Sequence, residues 1–129
     1  KVFWRVQIQP GTPSIFSVYE NTLIISLSGN PFGAMANLEL LVRTALYAMT
    51  DNERFVMEKH QGVLTEKFTK KSKGRRFVRA IYKNGEVSLP SGILSSGAIG
   101  TLRGCNCLLD IPAGSPPLET GEQVTVWML

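Results

Sequence analysis

The chain has 129 residues, of which 43% are hydrophobic and 19% charged, and its formal net charge is +4. This length and hydrophobic content suit one domain or two small ones with a real core. No segment approaches the roughly 18 apolar residues of a membrane-spanning helix and nothing resembles a signal peptide, so we expect a cytoplasmic protein without a membrane partner.

The first predicted strand runs from Val2 to Ile8, which alternates loosely and contains two aromatic residues. It is followed by Gln9-Pro10-Gly11-Thr12-Pro13. Two prolines and a glycine in five residues exclude a helix or a central strand there and indicate an ordered loop. Ile15 to Tyr19 is predicted as a short second strand, with a turn at Asn21-Thr22 after it.

A buried strand, Leu23-Ile24-Ile25, is predicted to turn into a helix through Ser26-Leu27-Ser28-Gly29-Asn30-Pro31. Gly29 permits a tight turn, Asn30 is a good N-cap, and Pro31 suits the first helical position. Such a joint leaves backbone N–H groups at the positive end of the helix dipole, which favours an anion. The alternative is an ordinary strand–helix joint that binds nothing.

The helix is predicted from Pro31 to Met49, ending near Thr50-Asp51-Asn52. Its predicted inner face has apolar residues every three or four positions: Met35, Leu38, Val42, Leu46 and Met49. If the two main strands are parallel neighbours, the Pro-Gly loop and the Ser-Gly-Asn-Pro loop share one edge of an α/β sheet, where ligands normally bind. Two or three strands and one helix cannot cover both faces of such a sheet. Because the first residue is also not Met, we expect a truncated domain.

The pattern changes after Asp51, which makes this the expected domain boundary, with residues 1–51 in the α/β segment and residues 53–129 in a second domain. Short strands separated by turns are predicted there: Phe55 to Met57, Val63 to Phe68, Arg76 to Tyr82, Val87 to Leu89, Cys107 to Ile111 and Val124 to Leu129. Asn84-Gly85 is a strong two-residue hairpin signal. The whole is therefore predicted to be α+β, a truncated α/β segment followed by a small all-β barrel.

The two cysteines, Cys105 and Cys107, are two residues apart, and a disulfide between them would be strained. We expect free thiols and no metal site, because C-x-C with one distant histidine lacks the ligands that zinc requires. That histidine, His60, has no titratable partner nearby in sequence and is interpreted as structural.

The charge excess lies entirely in residues 53–129, which hold eleven basic and seven acidic residues. A basic run from Lys67 to Lys83 is typical of a solvated edge, and its functional alternative is a surface for an anion. The stretch from Pro90 to Gly100, rich in Gly and Ser, is either a loop that cradles an oxyanion or a flexible crossing between strands.

Taken together, these motifs resemble the C-terminal part of a molybdopterin molybdotransferase, the family that includes the gephyrin E-type domain. Leu27-Ser28-Gly29-Asn30-Pro31 resembles the family's Leu-Pro-Gly-Asn-Pro, and Ile8-Gln9-Pro10-Gly11-Thr12-Pro13 its Lys-Pro-Gly-Lys-Pro loop. Gly74 to Arg79 resembles Gly-Arg-x-x-Phe-x-Arg with one residue missing. Ser95-Ser96-Gly97, Asn106-Cys107 and the ending Gly121 to Val124 also fit, in the family's order.

The resemblance implies a homodimer of several domains per subunit. The family reaction takes adenylylated molybdopterin and molybdate as substrates and leaves molybdenum on the dithiolate, with Mg²⁺ assisting. The family's magnesium carboxylates lie upstream of Lys1. Residues 1–129 alone are therefore expected to be inactive.

The resemblance also places the molybdopterin and molybdate site residues, which are Pro10, Gly11, Ser28, Gly29, Asn30, Arg75 and Ser96. Three family positions are changed, since Gln9 and Thr12 replace lysines and Gly33 replaces a serine. Losing two cations should weaken a dianion site, since hydrogen bonds to charged groups are worth roughly 1.5–3 kcal/mol each.

Three functions follow from these observations. The first is a divergent molybdenum-inserting transferase, supported by the ordered motifs. The second is a catalytically silent pterin-binding or scaffolding paralogue, supported by the changes at Gln9, Thr12 and Gly33. The third is nucleic-acid binding through the basic run, and it is disfavoured because few aromatic residues interleave with the lysines.

Overall fold

The computed structural model describes residues 2–91 and 99–129. Its nine strands are β1 (Phe3–Trp4), β2 (Ile8–Gln9), β3 (Ile15–Tyr19), β4 (Thr22–Ser26), β5 (Lys59–Leu64), β6 (Arg75–Lys83), β7 (Glu86–Ser88), β8 (Cys107–Ile111) and β9 (Gln123–Met128). The helical segments are α1 (Pro31–Asn37), a π-helical turn (Leu38–Val42), α2 (Arg43–Thr50) and two 3₁₀ turns (Glu53–Phe55 and Ile99–Leu102).

The N-terminal segment forms a three-stranded antiparallel sheet in the order β1-β3-β4. The expectation that the two main strands are parallel neighbours is wrong, because β3 lies between β1 and β4 and pairs antiparallel with both. Since β1 and β4 are each antiparallel to β3, they nevertheless run in the same direction. The segments that follow them therefore leave the sheet at the same end.

The predicted first strand is interrupted at Arg5, which adopts the left-handed conformation with φ +67°. The amides of Arg5 and Val6 then bond to the Ser14 and Thr12 carbonyls, so the chain leaves the small sheet. It continues as β2, which pairs in parallel with β6, Ile8 opposite Arg75. This pairing joins the N-terminal segment to the C-terminal one across the predicted domain boundary.

Five strands close into a barrel in the order β6-β7-β5-β9-β8, with β8 pairing back onto β6. The prediction of a small barrel after residue 53 is confirmed. The alternating inward residues of these strands form the core, and they include Leu64, Val78, Ala80, Val87, Cys107, Leu109, Ile111 and Val126. Cys107 is thus a buried free thiol, and burial raises its pKa to about 11.

A second cluster joins the helix to the outside of the barrel. It consists of Phe32 from α1 with Phe77 of β6 and Leu108 of β8, and the Trp127 ring meets Phe77 edge-on at 6.2 Å between centroids. Alternation along β6 points Phe77 outward while its neighbour Val78 points into the barrel. The start of the helix is thereby held against the barrel wall.

The helix spans Pro31 to Thr50, close to its predicted ends, and stops at Asp51, which has a left-handed φ of +53°. Its predicted inner face is only partly correct, because Leu38 and Met49 are exposed, at 45% and 63%. The π-helical turn (Leu38–Val42) lies in the middle of the helix. It adds a residue to one turn and rotates the following side chains away from the α-helical period.

Two of the predicted short strands differ from the structure. Phe55 to Met57 is not a strand, because the Asn52 side chain accepts a hydrogen bond from the Arg54 amide and caps a 3₁₀ turn there. The strand predicted at Val63 to Phe68 is β5, which begins and ends four residues earlier because it pairs along β9. In the described ranges, no helix is long and apolar enough to cross a membrane.

The Asn84-Gly85 hairpin is confirmed, with φ of +52° and +83°, as a type I′ turn requires. A β-carbon on Gly85 would meet no atom within 4 Å, so Gly85→Ala should cost only the strain of placing alanine at a left-handed φ, about 1 kcal/mol. Gly29 also has open space around it, but its φ is not left-handed, so the tight-turn reason given for this glycine does not hold. Gly29→Ala should then change the free energy of unfolding by less than about 0.5 kcal/mol. Denaturant midpoints compare the two variants.

Candidate functional site

The Pro-Gly loop and the start of the helix lie against each other. A β-carbon on Gly33, in the first turn of α1, would stand 3.2 Å from the Gly11 nitrogen and 3.0 Å from Ser28 Oγ. Both predicted loops therefore meet at one place, because β1 and β4 end on the same side of the sheet. The structure thus brings together Pro10, Gly11, Ser28, Gly29 and Asn30.

The helix start is capped by its own side chains, as predicted for Asn30. Asn30 Oδ1 accepts from the Gly33 amide at 3.0 Å, and the Asn30 amide donates to Ser28 Oγ at 3.2 Å. These bonds satisfy two of the N–H groups that a helix start exposes. The amides of Gly11 and Phe32 have no acceptor within the described part of the chain.

A buried side chain holds the Pro-Gly loop from the helix side. Asn37, which is fully buried at the end of α1, donates through Nδ2 to the Gly11 carbonyl at 3.0 Å and to Ser14 Oγ. Ser14 Oγ donates in turn to the same Gly11 carbonyl. The loop is therefore fixed to the helix by a closed triangle of hydrogen bonds.

Arg79 brings a positive charge to the first turn of the helix. Its side chain is 2% exposed, and its Cζ lies 4.4 Å from the centroid of the Phe32 ring. Burial lowers the pKa of the guanidinium from its usual value, while the nearby Cys105 thiol opposes the shift. Arginine remains protonated at neutral pH despite such a shift, so the cation is retained.

Arg75, the arginine predicted from sequence, is bound elsewhere. Its Nε and Nη2 donate to both carboxylate oxygens of Asp110, at 2.9 and 2.6 Å, and the bidentate bond raises the pKa of Arg75. The Trp127 indole also donates to Asp110, at 3.0 Å. Arg75 and Arg79 share the outer face of β6 but lie about 13 Å apart along the strand.

At the two positions where the family has lysine, the side chains of Gln9 and Thr12 form hydrogen bonds within this chain. Gln9 Oε1 accepts from Arg76 Nη2 at 3.1 Å, because β2 and β6 place these residues opposite each other. Thr12 Oγ1 donates to the Ile8 carbonyl at 2.7 Å. Arg76 thus supplies a charge beside the loop where Gln9 cannot.

Three sequence predictions remain, and they concern Ser96, His60 and a metal site. Ser96, with Ser95 and Gly97, lies outside the described residues. The expectation that His60 has no titratable partner nearby is wrong, because its Nε2 is 3.3 Å from Glu58 Oε2, and its ring packs near Tyr82. Among the residues of the two described ranges, no three His, Cys, Asp or Glu side chains group as metal ligands would.

The sequence did not single out two residues that the structure places beside the helix start and the Pro-Gly loop, Arg79 and Asn37. Arg79 follows Phe77 by two residues, so strand alternation alone places it on the face that packs against the helix. Asn37 follows Gly33 by four residues, which places it on the same helix face. Its contact with Gly11 depends on tertiary packing and leaves no comparable pattern.

A cleft of about 370 Å³ lies at the other end of the helix, lined by Arg43, Glu53, Arg54, Val56, Glu58, Met128 and Leu129. Arg43, the lining residue on the helix, follows Pro31 by 12 residues, so about 18 Å of helix separates the cleft from the Pro-Gly loop. Two carboxylates oppose its two guanidinium groups. Its charges are therefore balanced, which does not favour an anion in this cleft.

Gly33→Ser should destabilise the fold by about 1 kcal/mol, because the new β-carbon presses on Ser28 and on the Gly11 amide. In a Ser28→Gly background the first of these contacts is absent, and the cost should fall. A double-mutant cycle by urea denaturation measures the coupling, expected to be about 0.5 kcal/mol or more. Additive effects would show that Ser28 does not fill the space beside Gly33.

The chain is similar to known proteins over nearly its whole length. Residues 61–129 match the family model described as MoeA C-terminal region (domain IV). Two relatives are named molybdopterin molybdenumtransferase, and each is 29% identical to this chain. The one from Staphylococcus aureus (strain COL) matches 97% of the chain, and the one from Bacillus subtilis (strain 168) matches 99%. The chain spans about 30% of the length of either relative.

Solved structures give the same result. A molybdopterin biosynthesis moeA protein from Pyrococcus horikoshii OT3 superposes with a TM-score of 0.79 and 26% identity, over 99% of this chain and 32% of that one. A molybdenum cofactor biosynthesis protein from Pyrococcus furiosus gives 0.80 and 25%, over 99% of this chain and 45% of that one.

Proposed function

Since the chain belongs to the MoeA family through that family's C-terminal region, we propose that it is part of a molybdopterin molybdotransferase. The complete protein would insert molybdenum from molybdate into adenylylated molybdopterin. Two curated relatives that carry the name molybdopterin molybdenumtransferase support this proposal. The division into an α/β segment at residues 1–51 and a barrel domain at residues 53–129 is part of the same proposal.

One observation supports the anion site above all, the meeting of the Pro-Gly loop with the helix start at Gly33. Molybdate is a tetrahedral dianion, and it is held by fixed N–H and hydroxyl donors together with cations. The Gly11 and Phe32 amides and the Ser28 hydroxyl are such donors. We therefore place the oxyanion beside Pro10, Gly11, Ser28, Gly29 and Asn30, with Ser96 as a further proposed ligand.

The cation that we assign to this site is Arg79. It is buried and packs on Phe32 in the first turn of the helix, so its positive charge lies close to the proposed oxyanion. A role for Arg75 as a molybdate ligand stays a prediction, because molybdate would have to compete with the Asp110 carboxylate for its guanidinium. Arg76, beside Gln9, adds a second charge near the loop.

The hydroxyl missing at Gly33 has a replacement in Ser28. Ser28 Oγ lies 3.0 Å from the position of a β-carbon on Gly33, so a hydroxyl is present next to the place where a serine side chain would begin. Two of the three changed positions thus have local compensation, Gln9 through Arg76 and Gly33 through Ser28. This favours a divergent but working site over the silent paralogue.

The donors at this site suit an anion and do not suit magnesium, which takes carboxylate, carbonyl and water oxygens. The Mg²⁺ expected from the family resemblance would therefore be held by residues other than these. In our proposal, residues 1–129 hold and orient the oxyanion, and Arg79 neutralises its charge. The proposal also includes a homodimer and a cytoplasmic location. It includes no nucleic-acid partner, because Phe68 and Phe77 in the basic run are buried and cannot stack on bases.

The test is an assay of the complete natural protein with adenylylated molybdopterin and molybdate. We expect molybdate-dependent formation of active cofactor, and no turnover from residues 1–129 alone. Binding of the pterin without molybdate-dependent turnover would instead establish the silent paralogue. Restoring lysine at positions 9 and 12 should then recover part of the activity.

A further inference from the structure

Asn37 is a polar side chain buried where the helix and the Pro-Gly loop meet. Its Nδ2 satisfies two acceptors, the Gly11 carbonyl and Ser14 Oγ, which lie 26 and 23 residues away along the chain. These bonds fix the carbonyl side of the Gly11 residue. The Gly11 N–H belongs to the preceding peptide unit, which Gly11 shares with Pro10, and its direction relative to the fixed carbonyl is set by the backbone angles of Gly11, whose φ is +107°.

Gly11 and Asn37 fit each other so closely that neither position has room to spare. Gly11 has φ +107°, and a β-carbon there would collide with the Asn37 carboxamide. In the described part of the chain, Asn37 Oδ1 is buried and accepts no hydrogen bond. Buried polar atoms without a partner are rare in native folds, and this one belongs to the side chain that holds the loop.

The helix changes its hydrogen-bonding pattern directly after Asn37. The π-helical turn begins at Leu38, and the Arg43 amide donates to the Leu38 carbonyl five residues earlier. Such turns are common at functional sites. Here the change falls immediately beside the residue that contacts the loop.

We propose that Asn37 is a positioning residue, which fixes the Pro-Gly loop so that the Gly11 N–H points at the oxyanion. This inference rests on the proposed function, because the anion is the ligand proposed there. Asn37 touches the loop and not the substrate. Its loss should therefore weaken molybdate binding while leaving the binding of the pterin unchanged.

The experiment uses the complete natural protein carrying Asn37→Leu, a change of similar volume that removes the donor. The matched control is Asn106→Ala, since the Asn106 carboxamide makes two hydrogen bonds to the Tyr82 backbone, at 2.7 and 2.9 Å, at the far end of β6. The readouts are amide hydrogen exchange over residues 9–14 and the KM values for molybdate and for adenylylated molybdopterin.

We expect Asn37→Leu to raise exchange in residues 9–14 and to raise the molybdate KM about tenfold, the effect of one lost charge-assisted bond, with the pterin KM within twofold. Asn106→Ala should change neither loop exchange nor the molybdate KM. Unchanged loop exchange, or an unchanged molybdate KM, overturns the inference, as does an equal effect of both variants. Failure of the proposed function is seen separately, as a wild-type protein whose turnover does not depend on molybdate.

Discussion

Arg79→Met should reduce molybdate-dependent turnover of the complete protein by about 10–100-fold, the range expected for losing one charged hydrogen-bond donor. Methionine fills much of the same volume against the Phe32 ring, so the fold should persist. The main change is the loss of the buried positive charge beside the first turn of the helix. Steady-state rates at saturating pterin and varied molybdate measure the effect.

Two further variants identify what Arg79 contributes. Arg79→Lys keeps the charge but not the planar fork, so its loss of activity should be smaller than that of Arg79→Met. Arg75→Met breaks the ion pair with Asp110 and tests the arginine that the sequence predicted. If Arg75→Met costs more turnover than Arg79→Met, the assignment of the cation to Arg79 is wrong.

Phe77→Ala should destabilise the protein by about 3–5 kcal/mol, the usual cost of removing a buried aromatic ring from a core. Phe77 is 3% exposed and joins Phe32 of the helix to Leu108 and Trp127 of the barrel. The cavity would therefore open between the helix and the barrel wall. Guanidinium or urea unfolding measures the loss of free energy.

Leu109→Ala is the matched variant, since Leu109 is fully buried inside the barrel and away from the helix cluster. Both variants should lower stability, but only Phe77→Ala should selectively raise amide exchange in residues 31–50. Met49→Ala, at an exposed position, should stay within about 0.5 kcal/mol of the wild type. A loss below about 1 kcal/mol for Phe77→Ala would mean that the helix does not depend on this cluster.

Local signals predicted most of the barrel. Cys107–Ile111 was predicted with its observed bounds, and β6 within one residue at each end, because their apolar runs are bounded by turn residues. The Asn84-Gly85 turn and the Asn30 cap were predicted because their chemistry is contained in two to four neighbouring residues. Such features depend little on the rest of the fold.

The errors fall where distant contacts decide the structure. The two main N-terminal strands were expected to be neighbours, whereas β3 pairs between β1 and β4. The apolar inner face of the helix was predicted with one α-helical period throughout, but a π-helical turn, which has no simple sequence signal, interrupts that period. A strand was expected at residues 55–57, but the Asn52 side chain caps a 3₁₀ turn that ends at Phe55.

The candidate site was predicted in part. The two loops do meet at Gly33, since the strands before them run in the same direction even though they are not neighbours. The choice between arginines could not be made from the Gly74–Arg79 motif, because Arg75 and Arg79 lie on the same face of β6. The ion pair with Asp110 and the contact with Phe32, which separate them, are tertiary.

The most direct measurement is the position of molybdenum, from anomalous diffraction by crystals of the complete protein soaked with molybdate. We expect a peak beside the Pro-Gly loop, its oxygens about 3 Å from the Gly11 amide and the Arg79 guanidinium. A peak at the Arg75–Asp110 pair, or in the cleft between Arg43 and Arg54, with none at Gly11, would contradict this account.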